Sequence, residues 1–60
     1  MKYADVSRLT SLVERLDTYV YATTREVAKV DCDFERWEIL KGHVAETKQD
    51  ILDLFNEVGA

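Results

Sequence analysis

Proline is absent from the 60-residue chain, glycine occurs twice and cysteine once. The absence of proline argues against disorder, and two glycines cannot supply the glycine-rich loop that cradles a phosphate. The lone Cys32 can neither close an internal disulfide nor build a thiolate zinc site, and its unpaired state agrees with a reducing compartment. No apolar run approaches the ~20 residues needed to cross a bilayer. The opening Met1-Lys2-Tyr3-Ala4-Asp5 lacks the apolar stretch of a secretory signal. These absences predict a cytoplasmic protein without a membrane partner.

Positive charge is also scarce. Eight basic residues stand against twelve acidic ones, for a net charge of -4. Residues 1–30 carry five basic and four acidic side chains, whereas residues 31–60 carry three and eight, so the two halves are electrostatically unlike. A strongly basic footprint, the usual mark of nucleic-acid binding, is missing.

What the chain does have is periodicity. With 47% apolar and 33% charged residues, its composition is that of a water-facing helical protein. From Val6 the apolar positions step by three and four through Leu9, Val13, Leu16, Val20, Thr23, Val27 and Val30. This is a heptad seam with valine at every a position, and a strand would instead alternate with period two. Leu12 and Tyr19 widen the stripe at g positions. The helix start is expected near Ala4 or Asp5, with Asp5 or Ser7 as cap, although Ser11-Leu12-Val13-Glu14 also reads as a capping box.

A second stripe runs through Trp37, Leu40, Val44, Thr47, Ile51, Leu54 and Val58, preceded by Phe34 and widened by Phe55. Between the stripes lies Val30-Asp31-Cys32-Asp33, whose short acids suit a helix entrance better than a helix interior. Gly59 marks the far stop. The expected fold is therefore all-α: a single antiparallel helical hairpin over residues 1–60, with helices at about 5–30 and about 34–58 and a bend at about 31–33. Symmetry about the bend sets Val27 near Trp37, Val20 near Val44, Val13 near Ile51, Leu9 near Leu54 or Phe55, and Val6 near Val58.

So small a chain buries too little to be secure alone. Dimerisation into a four-helix bundle would cover the wider stripe. The expected packing or dimer-interface set is Leu12, Val13, Leu16, Tyr19, Val20, Val27, Trp37, Leu40, Val44, Ile51, Leu54 and Phe55.

Catalytic chemistry finds little support. His43, the single histidine, lacks the Glu-x-x-His pairing of carboxylate-bridged metal bundles and reads as a surface or interface residue. Cys32 lies near a helix N-terminus, which favours the thiolate, but Asp31 and Asp33 oppose it, and no histidine is near in sequence. Gly42 either permits a close approach beside Ala45 or is tolerated on an exposed face. The reading is a non-enzyme with no cofactor and no metal.

Two charged stripes remain. Glu46, Asp50, Asp53 and Glu57 recur at spacings of four, three and four on one side of the second helix. They form a candidate surface for a protein partner, with a solvated flank as the plainer reading. Arg8, Arg15 and Lys29, with Arg25 nearby, share a side of the first helix and form a candidate nucleic-acid surface. In length and inferred architecture the chain resembles Rop-type dimeric hairpin bundles, which bind RNA through a helical face. That resemblance implies a nucleic-acid-binding regulator as the alternative function. The leading expectation is a small homodimeric regulator, adaptor or inhibitor binding another protein, of a size that suits a phage, plasmid or bacterial accessory factor. A purely structural oligomerisation element is the third reading.

Overall fold

Asp33 starts the second helix. Its backbone is extended, and its Oδ1 accepts the Arg36 N–H at 3.2 Å. This satisfies one of the donors that a helix leaves open in its first turn. A computed structural model describes residues 2–59 and shows two helices, α1 (Tyr3–Val27) and α2 (Phe34–Glu57), packed against each other as a hairpin. No helix among these residues is long and apolar enough to cross a membrane.

At the other entrance the Asp5 carboxylate reaches back to accept the Lys2 N–H at 3.4 Å. Asp5 thus serves from inside the first turn rather than from in front of it, and α1 runs unbroken past Ser11. The first helix ends three residues short of Val30, which is fully exposed in the turn. At the end of α2, the Val58 and Gly59 amides donate to the Leu54 and Asn56 carbonyls. Gly59 adopts a φ of 71°, the left-handed conformation that closes many helices and that only glycine takes without strain.

The register is centred on the bend. Tyr19 lies against His43 and Arg8 against Glu57, and both pairs have their midpoints within Asp31–Asp33. The seam itself differs from the one expected. In α1 the residues turned toward α2 are Leu9, Leu12, Leu16, Tyr19, Thr23 and Glu26, a d/g stripe. Val6, Val13, Val20 and Val27, expected within the core, flank that stripe and are 43–55% exposed. In α2 the expected stripe does face inward, from Trp37 through Leu40, Val44, Thr47, Ile51, Leu54 and Val58. Leucine and tyrosine bury more apolar area than valine, so rotating α1 to pack Leu12 and Tyr19 is the more favourable choice for a single pair of helices.

The hairpin is long and thin, 45 × 15 × 11 Å, with a radius of gyration of 14.0 Å. A compact domain of this length would have about 10 Å. Its accessible surface of 4695 Å² exceeds the roughly 4,000 Å² usual for a monomer of this mass. Leu54 is the one apolar side chain buried to 2% exposure among the described residues. Thr23 and Thr47, polar members of the seam, satisfy their hydroxyls by donating to the Tyr19 and His43 carbonyls one turn back, at 2.7 and 2.8 Å.

Candidate functional site: two unlike faces of the hairpin

Two helices side by side form a layer with two broad faces, and here the faces differ in chemistry. The first is polar. The c positions of α1 and the c and g positions of α2 border one groove, so the basic and acidic stripes look at each other rather than outward on separate surfaces. Arg8 and Arg15 line it from α1; Asp50, Asp53 and Glu57 line it from α2.

Arg8 spans the groove. Its Nη1 and Nη2 donate to the two Glu57 oxygens at 3.2 and 3.1 Å, a bidentate pair. Asp5, 3.9 Å from the guanidinium, adds a second negative neighbour. The hydrogen bonds from Arg8, and then its charge, hold the Glu57 carboxyl below its ordinary range. The same bonds raise the Arg8 guanidinium. Asp53 accepts from Gln49 Nε2 at 3.0 Å, Asp50 is half-buried, and Glu46 is exposed outside the groove.

The other two basic residues of the candidate nucleic-acid surface are engaged near the bend. Lys29 Nζ sits 2.8 Å from the Glu26 carboxylate, and Arg25 lies over the Tyr21 ring at 5.7 Å. Glu26 is only 3% exposed. It is a buried carboxylate at the bend end of the d/g stripe. Sequence reasoning missed it because an acid at a g position reads as rim, and Lys29 three residues on is the one signal of a partner.

His43 stacks on Tyr19, with centroids 4.8 Å apart and planes 16° from parallel, so it is part of the inter-helix packing. Cys32 is exposed in the turn. Among the described residues no group of three or more histidine, cysteine or acidic side chains is arranged to hold a metal ion. A Cβ built on Gly42 meets nothing within 4 Å, so within the hairpin the glycine serves no close approach.

The second face is apolar. Along α1 it carries Val6, Val13, Val20 and Val27, exposed in a row. From α2, Val44, Ala45 and the stems of Lys41 and Lys48 border the same groove as Val20. Phe55 follows Lys48 by seven residues and Leu52 follows Ala45 by seven, which extends the face toward the chain ends; both are exposed. At the bend end Phe34 and Lys41 gather around Trp37, with the Lys41 ammonium 4.2 Å from the ring centroid. Of the expected interface set, Leu12, Leu16, Tyr19, Trp37, Leu40, Val44, Ile51 and Leu54 lie in the intramolecular seam. Val13, Val20, Val27 and Phe55 are exposed.

The chain matches no protein-family model, no characterised protein and no solved structure to which it was compared.

Proposed function

We propose that this chain is a non-enzymatic protein–protein interaction module whose first partner is a second copy of itself. Two hairpins join their apolar faces in a four-helix bundle. The single observation that carries this reading is the row of four a-position valines, 43–55% exposed beside a seam of larger residues. A helix that presents a d/g stripe to one neighbour and an a stripe to open water has the apolar width of a bundle helix with two neighbours. Contiguous apolar faces of this kind mark interaction sites.

The dimer then acts as a small regulator or adaptor for a further protein. Its acidic flank at Glu46, Asp50 and Asp53 is the part of the stripe that Arg8 does not engage. The nucleic-acid alternative loses support because Arg8 and Lys29 are held in ion pairs and Arg25 rests on Tyr21. A salt-steep shift of duplex RNA or DNA that weakens with Arg8→Ala and Arg15→Ala would replace the present reading.

The direct test is substitution on the valine face. Val13→Lys with Val20→Lys places four ammonium groups in the proposed dimer interface and should move the protein to single chains by sedimentation velocity. Thr18→Lys, on the outward side of α1, should leave the association unchanged. Equal association of all three proteins would sink the proposal.

A further inference from the structure

We infer that the two copies lie with their bends at the same end, α1 of each over α2 of the other, and that Asp17 of one copy meets Lys48 of the other on both sides of the two-fold axis. This rests on the homodimer reading and adds its geometry. Asp17 borders the apolar face beside Val13 and Val20. Lys48 borders it beside Val20 and Val44. Among the described residues neither makes an ion pair. On this face α1 thus carries the acids Glu14 and Asp17 beside its valines, and α2 carries the bases Lys41 and Lys48 along the groove.

Height along the hairpin decides what these charges can meet. Val20 and Val44 face one groove from opposite arms. Asp17 is three residues, and Lys48 four residues, farther from the bend than that pair. At a rise of about 1.5 Å per residue they stand within roughly 2 Å of the same level. A two-fold axis parallel to the helices preserves level and carries α1 over α2. Asp17 then falls on Lys48 of the second copy, twice, with Glu14 one turn farther from the bend.

The other face-to-face arrangement uses an axis across the helices and puts the bends at opposite ends. It lays α1 on α1 and α2 on α2. With full overlap the centre of Tyr3–Val27 falls between Glu14 and Asp17, so those acids meet each other. The same axis crosses α2 at that level, near Lys48, so the Lys48 ammonium groups of the two copies meet likewise. Juxtaposed like charges select against that arrangement. The area suffices for either: a face of 45 by 15 Å has a projected area of roughly 700 Å² per copy, on the order of 1,400 Å² for the pair, within the range of specific interfaces.

The native cysteine supplies the test. A nitroxide on Cys32, exposed in the turn, reports the bend-to-bend distance in the full chain by pulsed dipolar spectroscopy. The expected distance is roughly 10–25 Å, one or two helix spacings. A distance near the 45 Å hairpin length would overturn the arrangement and leave the dimer standing. The single-chain mass by sedimentation at the same concentration would overturn both. Charge exchange gives a second readout at low salt: Asp17→Lys and Lys48→Asp should each weaken association about tenfold, and the double variant should restore it to within about twofold. Two weakened single variants without recovery in the double would contradict the contact.

Discussion

Arg8 ties the two ends of the chain together by donating through both terminal nitrogens to Glu57, forty-nine residues away in sequence. The pair bridges α1 and α2 far from the bend, where a hairpin would otherwise splay. Because it lies on the polar face, it closes that side of the seam and leaves the valine side free for a partner.

Its pH dependence follows from the direction of the Glu57 shift. A carboxyl whose pKa is lowered on folding contributes stability that is present above its unfolded pKa. That contribution is lost as pH falls through the folded value. The raised Arg8 group loses its contribution only far above neutral pH. Melting curves of the wild type and Glu57→Gln should therefore differ at pH 7 and converge below the carboxylate range. Added salt should narrow the difference, because both groups are exposed. A difference that persists unchanged at pH 3 would place the effect elsewhere.

Lys29→Met removes the cation beside the buried Glu26 carboxylate while keeping most of the apolar stem. The variant should lose about 1–3 kcal/mol in urea unfolding at pH 7, because a buried carboxylate is left without its charged partner. Adding Glu26→Gln should recover part of that loss. Urea curves that coincide for the wild type and Lys29→Met would show that the pair carries no weight.

Gly42→Ala should stabilise the protein by about 1 kcal/mol, since the added methyl meets no atom within 4 Å and alanine is the better helix former. The rise should appear in thermal melts at fixed protein concentration. A fall in stability together with weaker association would instead place Gly42 in the contact between copies.

Much of this architecture was legible in the sequence. Asp33 announced the entrance of α2 and Gly59 its end, and mirror symmetry about Asp31–Asp33 gave the register that Tyr19–His43 and Arg8–Glu57 realise. What the heptad pattern could not choose was the rotation of α1. A stripe three positions wide has two edges beside the leucines at d, and either the valines at a or Leu12 and Tyr19 at g can turn toward α2. The relation of the two charged stripes was hidden for a related reason. Each could be placed on its own helix, but whether Arg8 and Glu57 share a face depends on the handedness of the hairpin, and the turn sets that handedness. Glu26 was illegible for the first of these reasons: its g position is buried only once that edge of α1 turns toward α2.

Whether a second copy covers the valine face is decided by sedimentation equilibrium of the wild-type chain across a dilution series. The expected result is twice the 7.0 kDa chain mass at tens of micromolar, with reversible dissociation on dilution and a melting temperature that falls as the protein is diluted. A 7.0 kDa species at every concentration, fully helical and with a melting temperature independent of dilution, would contradict it.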